Sequence, residues 1–173
     1  IQGMTKISYP QREREEGVKK VEEKEVRDIE QTTRRELGFL TNIINKIERL
    51  RSGVSEETIT NVQKREIDII NSMVEDEMSL SQNENARLSR LMTITKDKAL
   101  NDEIKSIMAI NSNFYNILKN DVREHLIIAK YPKAKGGRIN NLNNAEKAAM
   151  KAFDIKKTQL GYSQRLIKEL STI

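Results

Sequence analysis

The stretch 100–129, LNDEIKSIMAINSNFYNILKNDVREHLIIA, decides the fold class. Leu100, Ile104, Ile107, Met108, Asn111, Phe114, Leu118, Val122, Leu126 and Ala129 recur at steps of mostly three or four, the spacing that gathers side chains on one face of an α-helix. No glycine or proline interrupts the run. It ends at Tyr131-Pro132, because a residue before proline is pushed out of the helical region. Phe114 falls on the apolar stripe and Tyr115 at its edge, so this aromatic pair reads as core rather than as a ligand site.

The same periodicity extends outward in both directions. Val18, Val21, Val26, Ile29, Thr33, Leu37, Leu40, Ile44 and Ile47 predict a first helix from about Gly17, closed by Arg51-Ser52-Gly53. Their spacing holds no strict heptad, which argues against a simple parallel leucine zipper. Ser55, followed by Glu56 and Glu57, reads as the N-cap of a second helix with carboxylates in its first turn. That helix presents Ile59, Val62, Ile67, Ile70, Val74 and Met78, then Leu88, Leu91 and Met92. Between Ser79 and Glu84 its stripe thins to Leu80 alone. With no glycine or proline there, the helix is expected to run straight through.

Beyond Pro132, Gly136-Gly137 and four Asn predict a loop or hinge over 132–144. A last helix is expected over 145–173, with Ala148, Ala152, Ile155, Tyr162 and Leu166 on one side and Phe153, Leu160 and Ile167 on another. Two apolar seams on one helix imply two neighbours. Residues 4–16 are polar, contain Pro10 and predict a flexible arm, and Ile1-Gln2-Gly3 before Met4 resembles the remnant of a cleaved tag. The expected organisation is therefore an arm over 1–16, a bundle body over 17–131, a basic loop over 132–144 and a C-terminal helix. The fold class is all-α: an elongated antiparallel helical bundle of three to four long helices.

Composition agrees. Hydrophobic residues make up 36% of the 173 and charged residues 33%, with three Phe and no Trp, a balance suited to long helices with narrow apolar stripes. The absence of cysteine excludes disulfides, thiolate metal sites and a cysteine nucleophile. No apolar run is long enough to span a bilayer, and a cytoplasmic location without membrane association is the expectation.

Charge is divided unevenly. Residues 127–173 hold ten Lys or Arg against three Asp or Glu, whereas residues 1–126 hold 21 against 23. Such segregation points to a polyanion at the C-terminal region and to protein partners, in a homo- or hetero-oligomer, along the body. Lys133, Lys135 and Arg138 on the glycine-rich loop, with Lys147, Lys151, Lys156 and Lys157 on the last helix, are the candidate nucleic-acid contacts, meeting phosphates without reading sequence. The rival reading is ordinary solvated charge beside a hinge. The loop lacks the order of a nucleotide-binding P-loop, which needs Gly, four residues, then Gly-Lys-Ser/Thr entering a helix after a strand.

Chemistry of other kinds finds little footing. His125, the only histidine, lies one turn after Asp121 and next to Glu124, too few ligands for a metal site. Glu75-Asp76-Glu77 splay around a helix and, with Glu84, read as a solvated acidic face. No base is placed beside a Ser, Thr or Tyr by any nucleophile motif. A metal-dependent hydrolase or nuclease built on the acidic face is therefore disfavoured. No cofactor and no catalytic residue is expected. The function expected is a non-enzymatic assembly or scaffold protein associated with nucleic acid, the alternative being a structural or adaptor module that binds proteins alone.

Three short segments of the body resemble a known family. Arg35-Glu36-Leu37-Gly38-Phe39-Leu40 with 43–50, Asn85-Ala86-Arg87-Leu88-Ser89-Arg90-Leu91-Met92, and Phe114-Tyr115-Asn116-Ile117-Leu118 through Val122-Arg123-Glu124-His125 are similar, in order, to helices of the A domain of archaeal GINS subunits. The likeness covers about residues 22–126. It implies scaffolding in DNA replication, with the minichromosome maintenance ring and a RecJ-like protein as partners. The family's small β-rich domain has no counterpart in 127–173.

Overall fold

A computed structural model describes residues 16–171. The expected tag remnant and arm, save Glu16, lie outside the described residues. Four long rods pack side by side: α1 (Glu16–Gly53), α2 (Asn61–Ile94), a composite third rod, and α5 (Arg138–Ser171). The third rod is α3 (Lys98–Ile117), a π-helical segment (Leu118–Arg123) and α4 (Glu124–Lys130), running on without a break. At 38 residues, α1 extends about 57 Å at 1.5 Å per residue, so the bundle is elongated. No strand occurs among the described residues.

The rods alternate in direction. One apolar cluster joins Leu40, Ile43 and Ile47 of α1 to Ile70 and Val74 of α2, to Phe114 through Ala129 of the third rod, and to Leu142 through Ala152 of α5. A second joins Val26 and Ile29 to Leu88 and Leu91, Leu100 to Ile107, and Leu166 and Leu170. Early residues of α1 and α3 thus share a layer with late residues of α2 and α5. Each rod touches two neighbours in a ring of α1, α2, the third rod and α5. The two neighbours expected for the last helix are therefore α1 and the third rod. Of the expected seam residues, however, only Ala152 and Leu166 are buried, and Ala148, Phe153, Ile155, Leu160, Tyr162 and Ile167 are half-buried. Buried Ala145, Ala149 and Ala152 on α5 let its neighbours approach closely.

A heptad runs through the bundle, although its residues conceal it. The buried positions of α1 are Glu22, Val26, Ile29, Thr33, Glu36, Leu40, Ile43, Ile47 and Leu50, which alternate steps of four and three without exception. On α5 they include Arg138, Leu142, Ala145, Ala149, Ala152, Lys156, Gln159, Ser163, Leu166 and Leu170, again without a slip. The expectation that α1 lacks a strict heptad is corrected: the repeat is intact, but Glu22, Thr33 and Glu36 occupy core positions where an apolar residue would announce it. In the third rod the repeat 100, 104, 107, 111, 114, 118 slips by one residue to 122, 126 and 129. The π-segment spans that slip, since its wider turn absorbs one extra residue and returns Val122, Leu126 and Ala129 to the core.

The second helix is continuous through 79–84, as expected. Its start differs. Thr60 is the N-cap, its hydroxyl accepting from Gln63 N at 3.1 Å while Gln63 Oε1 accepts from Thr60 N at 2.9 Å, a reciprocal capping box. Ser55 and Glu56 belong to the preceding connection instead. The basic connection is also shorter than 132–144: it covers 131–137, and α5 opens at Arg138. Asn is common in loops, but Asn141 here is a helix-start residue whose Nδ2 donates to Lys135 O at 2.8 Å and Gly137 O at 2.7 Å. Gly136 and Gly137 have φ of 85° and 93°, a backbone that side chains with a Cβ adopt only under strain. The last helix is the fourth member of the bundle, inseparable from the body.

Candidate functional site

The seven candidate phosphate contacts divide into an inner and an outer set. Arg138 and Lys156 are both 0% exposed, which corrects their assignment as phosphate contacts. Lys133, Lys135, Lys147, Lys151 and Lys157 are exposed, and none of the five forms an ion pair among the described residues.

Arg138 closes one end of the bundle. Its guanidinium donates to five backbone carbonyls: Nε to Ala129 O (2.9 Å), Nη1 to Ser55 O (2.9 Å) and Glu56 O (2.8 Å), and Nη2 to Tyr131 O (2.6 Å) and Pro132 O (3.2 Å). The fork thereby uses its whole donor capacity. One acceptor, Ala129 O, lies in the last turn of α4 and two, Tyr131 O and Pro132 O, just beyond it, where carbonyls lack intrahelical partners and the helix dipole favours a cation. The Glu56 carboxylate completes the clasp, accepting from Arg138 N and Ile139 N at 2.9 Å each. A carboxylate on the first amides of α5 satisfies orphan donors and matches the dipole. Ser55 and Glu56 thus help seat α5 across 82 residues of sequence.

Lys156 sits at the middle of the bundle, in a polar layer between the two apolar clusters. Its Nζ donates to Asn111 Oδ1 at 2.8 Å, Gln159 Oε1 at 2.9 Å and Glu84 Oε1 at 3.3 Å. Glu36 Oε1 lies 3.2 Å away, and the Phe114 ring centroid 4.4 Å away presents its electron-rich face. Gln159 Nε2 in turn donates to Glu84 Oε2 at 2.9 Å. Ser81 Oγ donates to Asn111 Oδ1 at 2.7 Å, and Asn111 Nδ2 donates to Ser81 O and Asn85 Oδ1. All four rods contribute to this layer.

The thin stripe at Ser79 to Glu84 is the passage of α2 through it. Glu77 and Glu84, expected on a solvated acidic face, are 2% and 3% exposed; Glu75 and Asp76 do face solvent. Burial pushes the Glu84 carboxyl up to about 9, with a hydrogen bond to Glu36 adding to the rise and Lys156 opposing it. Burial likewise lifts Glu77 to about 7, against hydrogen bonding to Glu36 and the charge of Lys156. Glu36 is raised as well, again chiefly by burial.

The remaining candidates find structural places. The imidazole Nδ1 of His125 lies against the carbonyl oxygen of Asp121, one turn back. Phe114 is fully buried and Tyr115 half-buried beside it, as expected. No group of three or more His, Asp or Glu among the described residues is placed to hold a metal ion. No described helix is long and apolar enough to cross a membrane.

Exposed apolar residues include Phe39 (46%) and Met150 (51%). Met150 joins Thr41, Ile44, Phe153 and Asp154 in a shallow groove of about 250 Å³ between α1 and α5. Comparison with family models, curated proteins and solved structures gives no match.

Proposed function

We propose that this chain is a non-enzymatic helical scaffold that meets nucleic-acid phosphates through Lys133, Lys135, Lys147, Lys151 and Lys157. The supporting observation is that these five lysines remain exposed and outside ion pairs after the two inner cations are set aside. Lys133 and Lys135 stand on the connection before α5, with Lys147 and Lys151 one turn apart on its outer face. Lys157 lies about 120° around the helix from Lys151, at 100° per residue, so a single duplex favours the first four. Lysine presents a point charge on a flexible stem, suited to phosphate contact without base readout. The resemblance of 22–126 to GINS helices makes a replication assembly the setting to examine first.

Four phosphate contacts predict a slope of log affinity against log salt of about −3.6 on duplex DNA, at about −0.9 per contact. Changing all five lysines to Gln should abolish binding at low salt while leaving the helical signal and unfolding midpoint in place. Equal binding by parent and variant, or no binding by the parent, refutes the proposal.

A second reading, an adaptor that binds proteins alone, is favoured by the groove at Ile44, Met150 and Phe153. It predicts an oligomer or complex by light scattering that a Met150→Glu change disperses, with no mobility shift of DNA.

A further inference from the structure

The polar layer contains three carboxyl groups and one ammonium. Glu36 enters from α1, Glu77 and Glu84 from α2, and Lys156 from α5, whereas α3 offers only the neutral Asn111 amide and the Phe114 ring. Neither oxygen of Glu36 receives a well-directed hydrogen bond from a nitrogen or hydroxyl donor. Its Oε1 and the Oε1 of Glu84 lie 3.2 and 3.3 Å from the same Lys156 ammonium, and Glu77, two turns before Glu84 on α2, is buried with its Oε2 unpartnered. Buried carboxyls gathered this closely can bond to one another only while one of them carries a proton. Glu84 is already the acceptor for Lys156 and Gln159 through its two oxygens. A single ammonium therefore cannot balance the layer if all three carboxyls ionise. The apolar clusters on either side are separate, so the layer can loosen while each end stays packed.

We propose that this layer is a proton-dependent latch: protons shared along Glu77, Glu36 and Glu84 hold the middle of the bundle closed, and their loss opens it while both apolar ends remain folded. The direction follows from linkage. Carboxyls of the unfolded chain titrate near 4.5, whereas Glu77 and Glu84 hold their protons to about 7 and about 9 in the folded protein. The stabilisation is complete below the unfolded value and is lost as pH rises through the folded ones.

The test uses the absence of native cysteine. Ser81→Cys places a thiol in the layer, and Ser79→Cys places an exposed reference thiol two residues away. The labelling rate of the first divided by that of the second corrects for reagent and solution conditions. Between about pH 6 and about pH 9 the ratio should rise on the order of tenfold as the layer opens locally. In a Glu84→Gln background, which keeps an amide donor at every pH, the same thiol should show a much smaller rise. Glu36→Gln serves as the second background if Glu84→Gln fails to fold. A ratio that stays constant with pH, or rises equally in the parent and the Gln background, overturns the proposal.

Discussion

Arg138 shows how one side chain can hold three segments that are remote in sequence. Its five donors join the α1–α2 connection, the end of α4 and the start of α5. Lysine keeps the charge but offers three donors from a single point, so it cannot reproduce the planar fork. Arg138→Lys should lower stability by on the order of 3 kcal/mol, because buried carbonyls lose their partners, measured by urea denaturation. A change below about 0.5 kcal/mol, the usual range for a surface site, would place this residue outside the clasp. Sequence could not reveal the role of Arg138, since its acceptors are backbone groups and two come from Ser55 and Glu56. Next to Gly136-Gly137, an arginine has the composition of a phosphate loop. Phe114, by contrast, was legible from its own period, because an aromatic residue at a core step needs no distant partner to explain it.

At the scale of elements, the third rod offers the sharpest contrast between legible and hidden structure. Its extent to Lys130 follows from the apolar run and the Pro132 stop. The π-segment is visible only when the steps are counted, as the place where three fours fall in succession through 114, 118, 122 and 126. Deleting the exposed Asn120 should restore steps of three and four in an ordinary α-helix, at a cost of about 1 kcal/mol or less. Deleting the exposed Asn113 in regular helix should instead rotate every later core residue off its face and unfold the bundle. Circular dichroism melts of the two deletions test this, and equal loss in both would contradict the register shift. The polar layer was illegible for a related reason. Glu36, Glu77, Ser81, Glu84, Lys156 and Gln159 occupy heptad positions, but polarity there looks like a lapse in the stripe until the four rods are brought together.

Across the whole molecule, the cationic C-terminal region separates into charges that build the bundle and charges that face solvent. Arg138 and Lys156 belong to the first group, and Lys133, Lys135, Lys147, Lys151 and Lys157 to the second. The sequence alone treats them alike, because net charge carries no information about which face of α5 is buried. The heptad does, once Lys156 is placed seven residues after Ala149 and seven before Ser163 on the inner face. Lys156 and Lys157 are the closest comparison: adjacent, chemically identical, one fully buried and one exposed. The decisive measurement is urea denaturation at neutral pH of Lys156→Met and Lys157→Met beside the parent. The inside–outside division predicts that Lys156→Met loses on the order of 3 kcal/mol, through the abandoned partners in the layer, while Lys157→Met stays within about 0.5 kcal/mol. Equal effects at the two positions, or a larger effect at Lys157, would contradict it.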